Sequence, residues 1–422
     1  MKTLKAIFGD ANIRSRVLFI IFILVITRVL ATIPIPGVGT TNLANFLAKE
    51  GNGFFSMLNI FSGGGLSAFS FVMIGVGAYI TSSIIMQLGT VLSPRLKEMY
   101  HEEGEAGRKR FVQYGRMLSL PLAMLQGFAL ISLLSRQHAI ETLSGAAMLS
   151  NVLIVSAGAM LMMWLGEQIN ERGIGNGVSL IIFAGIVANL PTKLAQYFLT
   201  FDVSQIPTLV GILVLTLVVI AGIVFITEAE RPVAVTYAKQ ARLGASSGVG
   251  ASTYIPLRLN QAGVIPIIFA VSVLIFPQML GQLLATSSME TLASFARTVN
   301  SLISNQWIYG ISYFLLVVVF TYFYTAVMFD PEKTSDNLQK NGAFVPGYRP
   351  GIATAEYIGG VLSRITLFGA VFLGLVAVLP VIVSGVTGNT TLSIGGTSLL
   401  IAISVVLDLI KKVEAQLSMR EY

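Results

Sequence analysis

Few side chains in this sequence are of types that could do chemistry, and each candidate cluster lacks a partner. Gly244-Ala245-Ser246-Ser247-Gly248 has the Gly-x-Ser-x-Gly spacing that in hydrolases holds a serine nucleophile on a sharp turn between a strand and a helix. A serine there needs a general base, and the two histidines of the chain, His101 and His138, are not near it. With no strand pattern ahead of it, the stretch reads as a flexible hydrophilic loop. Gly173-Ile174-Gly175-Asn176-Gly177 is glycine-rich but joins two apolar helical segments, so it lacks the strand that a nucleotide-binding fingerprint requires. There is no Walker motif, no His-Glu-x-x-His and no cysteine, which removes phosphate-loop, zinc-protease and thiolate chemistry. No catalytic residue, metal site or cofactor is expected, and any energy source must come from a partner. Arg28, Glu167 and Asp408 lie near the ends of apolar segments and read as snorkelling or pairing at an interface, not as a proton relay.

The elements around these residues are membrane spans. Of 422 residues 54% are hydrophobic and 11% charged, where a soluble domain has about 25% charged, and the mean hydropathy is +0.79. A span needs roughly 20 apolar residues. Ten segments read as spans, with approximate ends: Val17–Ile33, Phe69–Leu92, Tyr114–Leu134, Asn151–Gln168, Gly177–Phe198, Thr208–Ile226, Gln261–Leu284, Trp307–Phe329, Val361–Val383 and Gly396–Ile410. With the amino terminus inside, and with Arg116, Lys193 and Arg364 near span ends counted with the loops they adjoin, 22 of the 27 basic residues fall on the inner side, leaving Lys49, Arg136, Lys193 and Arg297 outside and Arg28 within a span. That bias puts both termini on the cytoplasmic side. Met1–Arg16 reads either as an amphipathic segment at the inner surface or as a disordered basic tail. The first span reads as a retained anchor, because Arg28 interrupts it and no small-x-small cleavage site follows.

The stretch from Phe54 to Leu92 departs from plain spanning. Phe54–Phe61 is apolar but too short to cross, Ser62-Gly63-Gly64-Gly65 breaks it, and a span follows. Broken backbone at membrane depth must sit in protein or beside a water-filled cavity. Ile80 and Ile84 share one helical face, while Thr81, Ser82, Ser83 and Gln87 are polar. Two readings fit: a polar path with a narrow apolar collar, or a re-entrant loop that fills a bundle centre.

Ten spans divide into five and five near Phe198–Thr208, and an odd number per half gives the halves opposite orientation. The expected fold is an all-α polytopic membrane protein with ten transmembrane helices in two inverted five-helix halves, residues 1–200 and 201–422, around a central path. Ser93–Gln113, with five basic residues among several glutamates, reads as a solvated loop, and two further inner loops, about 228–260 and 330–360, are longer than connections between adjacent helices require and look like docking surfaces. Arg349, fixed between Pro346-Gly347 and Pro350-Gly351, is either a docking cation or a topogenic charge.

An ordered series of motifs from about Phe8 to Met419 resembles the SecY family, the channel subunit of the protein-secretion translocon. It comprises Ile33–Gly37 (IPIPG), Phe61–Leu66, Tyr79–Leu88, Glu103–Arg108 (EGEAGR), Glu171–Ile186, Ser252–Asn260, Ala262–Pro266 (AGVIP), Gly342–Gly351 (GAFVPGYRPG) and Gly395–Leu400. The resemblance implies a gated pore through which unfolded secretory chains cross and from which hydrophobic segments leave sideways into lipid. It implies a re-entrant plug half-helix over about 54–66, carried by Phe54, Met57, Leu58, Ile60, Phe61, Gly63, Gly64, Gly65 and Leu66. It places a pore constriction at Ile80, Ile84, Ile182, Ile186, Ile265, Ile268 and Ile401, and a lateral gate at Ser83, Gln87, Gln126, Asn260, Gln261 and Ser272. Lys239, Arg242, Arg258 and Arg349 fall on its docking surface. The implied partners are SecE-like and SecG-like small membrane subunits, the SecA motor ATPase, the ribosome, signal peptides and nascent chains, and the lipid bilayer. Two departures stand out: Gly77-Ala78 where the family often has Met-Pro, and an uncharged tip at Ala245–Ala251 where relatives usually carry basic residues.

A rival from another class is a ten-span secondary transporter of a small solute. Ion-driven transport calls for carboxylates or a polar site near the midplane, and the midplane candidates here are isoleucines.

Overall fold

The computed structural model describes residues 10–36, 38, 58–59, 62–141, 143–199, 206–237, 253–284, 305–387 and 395–418, with single helical positions at 290, 294, 298 and 301. Its helices are α1 (Ala11–Leu30), α2 (Gly77–Leu92), α3 (Pro94–His101), α4 (Gly104–Arg136), α5 (Gly145–Arg172), α6 (Gly177–Leu199), α7 (Ile206–Glu228), α8 (Ile265–Leu284), α9 (Gln306–Met328), α10 (Pro331–Lys340), α11 (Ile352–Thr387) and α12 (Gly395–Ser418). Between α7 and α8 lie strands β1 (Glu230–Tyr237) and β2 (Thr253–Arg258), and β3 (Ala343–Phe344) follows α10. Four described segments are long and apolar enough to cross a membrane: Gly104–Arg136, Gly145–Arg172, Gln306–Lys340 and Ile352–Leu379. Shorter apolar helices cover Gly77–Leu92, Gly177–Asn189, Leu213–Glu228 and Ile265–Ile275.

Helix faces explain why these segments leave water. On α1, Ile13, Ile20, Ile23 and Thr27 are buried, while Leu18, Ile21, Phe22, Val25 and Val29 stand exposed. A stripe of exposed large aliphatics is a liability in water and natural in hydrocarbon. The same pattern recurs on α7, with Leu213, Val214, Leu217 and Val218 exposed.

Contacts divide the chain into two compact units. The first holds Met1–Ile212, Val271–Tyr309 and Pro380–Tyr422. Its packing rests on a small-residue stripe along α4, where Gly115, Ser119, Ala123 and Gly127 recur every fourth position and are buried. Small side chains let helix backbones approach closely without hydrophobic pressure from solvent. The Ser82 hydroxyl of α2 uses this closeness to donate to the Gly115 carbonyl, and Gly127 faces Val155 of α5. Arg116 of α4 also reaches across to Glu167 of α5, at 2.6 Å.

Residues 93–113, expected as a solvated loop, instead form α3 and the first turns of α4. Pro94 opens α3, a position where its missing N–H costs nothing, and Tyr100 packs on Phe111 with ring centroids 4.9 Å apart. Gly107 permits the tight approach, since a Cβ there would lie 2.3 Å from the Met99 carbonyl.

The second unit holds Leu213–Ala270 and Gly310–Leu379. The expected long loop at 228–260 contains an antiparallel ladder, and the sheet has the order β2-β1-β3. Its register sets Glu230 opposite Arg258 and Pro232 opposite Pro256. Two facing prolines have no N–H to exchange, so they occupy a non-hydrogen-bonded site and leave the ladder intact. Val233, Val235, Leu257, Ala343 and Val345 form a buried core with Ile358, Leu362 and Ile365 of α11. Asp330 caps α10, accepting from the Glu332 and Lys333 amides at 3.0 and 3.2 Å.

Candidate functional site

The glycine-broken stretch before α2 folds inward as a chain of turns. Residues 62–76, part of which was expected as helix from Phe69 onward, are turns up to Val76, and α2 begins only at Gly77. Phe69 and Gly75 take positive φ, 45° and 60°, which interrupts any helix there. Hydrogen bonds within the stretch replace the helical ladder. The Gly64 amide donates to the Asn59 carbonyl at 2.8 Å, the Ser67 amide to Asn59 Oδ1 at 3.1 Å and the Ser70 amide to the Gly65 carbonyl at 2.8 Å. Of the nine plug candidates, Leu58, Gly63, Gly64, Gly65 and Leu66 are described. Leu66 is fully buried, and Gly63 and Gly64 take φ of 66° and 90°, which suit only glycine well. Phe54, Met57, Ile60 and Phe61 lie outside the described residues.

The end of α1 grips this stretch. The Ile35 amide donates to the Phe69 carbonyl at 3.0 Å, the Phe71 amide to the Ile33 carbonyl at 3.3 Å, and the Ser70 hydroxyl to the Leu30 carbonyl at 2.8 Å. Further along, Arg28 Nη1 donates to the Gly63 carbonyl at 2.8 Å. The expectation for Arg28 was pairing or snorkelling at an interface; its partner is a main-chain carbonyl of the turn region. Gly158 of α5 meets Phe71 from the other side, where a Cβ would lie 2.1 Å from the Phe71 carbonyl.

In the first unit, Ile80 and Ile84 of α2, Ile182 and Ile186 of α6 and Ile401 of α12 are all buried. Helices α6 and α12 pack on each other. The turn into α6 is built by side-chain caps: Asn170 Oδ1 accepts from the Gly177 amide at 2.7 Å, and Asn176 Oδ1 from those of Val178 and Ser179 at 3.1 and 3.3 Å. That gives the glycine-rich Gly173–Gly177 stretch a structural task. In the second unit Ile268 is buried and Ile265 half-buried, both on α8.

Three of the six polar gate candidates each keep a buried oxygen without a hydrogen-bond partner among the described residues. Gln87 Nε2 donates to Ser83 Oγ at 3.2 Å and Gln126 Nε2 to Thr81 Oγ1 at 3.4 Å. In the second unit Asn260 Nδ2 donates to the Gly263 carbonyl at 3.2 Å. Gln87 Oε1, Asn260 Oδ1 and Gln261 Oε1 are buried with no hydrogen-bond partner among the described residues. Ser272 lies on α8, half-buried.

Arg349 is exposed on a firmly built turn. Gly347 and Gly351 take φ of 89° and 98°, the Thr354 hydroxyl donates to the Arg349 carbonyl at 2.8 Å, and Tyr348 stacks on Tyr357 with centroids 4.1 Å apart. Arg258 is exposed on β2. Lys239 and Arg242 lie outside the described residues, as does Ser246. The strand requirement at Ser246 needs correction, since β1 does precede that loop. Among the described residues no group of His, Cys, Asp and Glu could hold a metal ion.

The SecY family profile matches residues 70–410. The chain belongs to the SecY family. The protein translocase subunit SecY of Corynebacterium glutamicum is 37% identical to it, over 100% of this chain and 99% of the relative. That of Mycobacterium bovis is 40% identical, over 97% of this chain and 96% of the relative. A solved protein conducting channel shares the fold, with a TM-score of 0.65 at 15% identity, covering 94% of this chain and 91% of the other. As a SecY-family chain it is a helical membrane protein.

Proposed function

We propose that the chain is the central subunit of a protein-conducting channel that passes unfolded secretory polypeptides across the plasma membrane and releases hydrophobic segments sideways into lipid. The observation that carries this reading is the inward-folded segment at 62–76. It is largely buried, glycine-turned and hydrogen-bonded to α1, in a chain that aligns with SecY relatives over 97–100% of its length. Ten spans with cytoplasmic termini, grouped as residues 1–200 and 201–422, would surround the path. The isoleucines of α2, α6, α8 and α12 would close it at rest, since branched aliphatics offer water and ions no hydrogen bonds. Hydrophobic signal sequences would favour the open state through their own transfer to lipid.

Acceptors at Gln87 on α2 and at Asn260 and Gln261 in the turns before α8, unpartnered among the described residues, suit a gate that must part, because a fully satisfied buried network would hold it together. The turn at Arg349 and the sheet beside it would dock the ribosome or a SecA-type motor, with SecE-like and SecG-like subunits completing the complex. The chain itself would supply a passage and no catalysis.

A photoreactive residue substituted for Ile182 tests this reading. It should capture a preprotein stalled in transit, whereas the same probe at Phe22, on the exposed face of α1, should not. Equal capture at both positions, or none at Ile182, would count against it.

A further inference from the structure

We propose that Arg28 is the latch that holds the plug segment and thereby sets how strong a signal must be to open the channel. This rests on the plug reading of the segment before α2. A cavity of about 310 Å³ lies among α1, α5 and α6, lined by Leu24, Met162, Ile181, Phe183 and, from the turn region, Gly63. Among its lining residues Arg28 alone carries a charge. A guanidinium in an apolar wall is costly unless it is paired, and its partner is the Gly63 carbonyl at 2.8 Å. The fit is close: a Cβ on Gly64 would lie 2.6 Å from Arg28 Nη1.

The position of this bond separates it from the other ties. Leu30, Ile33 and Ile35 hold residues 69–71, next to α2. Arg28 holds residue 63, next to the half-helix at Leu58–Asn59. Swinging the half-helix away can leave the ties at 69–71 in place as a hinge, but it must break the Arg28 bond. One hydrogen bond from a charged donor biases such an equilibrium roughly ten- to hundredfold. A signal peptide must overcome that bias, so Arg28 acts as a specificity-determining residue for which signals succeed.

The test uses the complete translocon in sealed vesicles, with Arg28→Met, Arg28→Gln and a deletion of residues 54–61 as reference. The readouts are resting ion leak and transport of a preprotein with a weakened signal. The account expects the deletion to leak, Arg28→Met to leak several-fold above the parent while passing the weakened signal, and Arg28→Gln to fall between, since its amide keeps a neutral donor of shorter reach. Either variant, once assembled, leaking no more than the parent while the deletion leaks would overturn the latch and leave the plug standing. A deletion that does not leak would remove the plug reading and the latch with it.

Discussion

Arg116 and Glu167, 51 residues apart in sequence, meet at 2.6 Å between α4 and α5, and they are unequally buried: the Glu167 side chain is 9% exposed and that of Arg116 43%. Removing one partner of a buried pair is damaging because the other is left charged in a poor solvent. Here the two deletions should differ. Arg116→Ala strands the buried carboxylate, whereas Glu167→Ala leaves a guanidinium that can turn towards water or headgroups. We expect Arg116→Ala to cost about 2–4 kcal/mol and Glu167→Ala about 1–2 kcal/mol. Chemical or thermal denaturation of the purified complex would read the difference; equal losses would mean the pair carries no such asymmetry.

The proposed constriction makes a second prediction. Ile80→Asn combined with Ile401→Asn places amides where both native side chains are buried, so the closed path would wet and conduct. Resting conductance should rise several-fold and selection among signals should relax. Unchanged conductance and unchanged selection in an assembled double variant would move the constriction elsewhere.

Gly158 supplies a third. Any side chain there collides with the Phe71 carbonyl, and main chain cannot yield as a flexible side chain would. Overpacking of this kind costs about 1–3 kcal/mol. Gly158→Val should therefore lower the melting temperature and raise the resting leak together, while Gly145→Ala, where a Cβ meets nothing within 4 Å, should do neither.

At the proposed docking turn, Arg349→Ala should abolish most motor-driven transport while the melting temperature stays at the parent's, because the side chain is exposed and the turn is held by Thr354 and the Tyr348–Tyr357 stack. Arg349→Lys should restore only part of the activity, since a point charge lacks the guanidinium's fork. A loss of stability matching the loss of transport would mark Arg349 as structural.

What the sequence made legible follows from what hydropathy measures. Apolar runs located the interiors of the long apolar helices, but α3, the first turns of α4 and α10 fall in stretches that read as loops, since polar helices leave no apolar run. The strands β1 and β2 were hidden by Pro232 and Pro256, which argue against a strand unless they face each other, as they do. Phe69 and Gly75 sit in an apolar stretch that reads as helix, and only their positive φ values stop it. Arg28 was visible as an interruption of the first span; its partner, 35 residues away, is a main-chain carbonyl that no side-chain pattern announces. The family motifs, by contrast, were plain in the sequence from Ile33 to Leu400.

The most direct test of the central claim is transport itself. The purified chain, with its small membrane subunits and the motor ATPase, would be reconstituted in sealed vesicles, and ATP-dependent protection of a signal-bearing preprotein from external protease measured. The account predicts a protected full-length chain that becomes digestible once detergent opens the vesicles. Absence of protection from a folded complex with an active motor, above all with uptake of a small solute by the same vesicles, would contradict it.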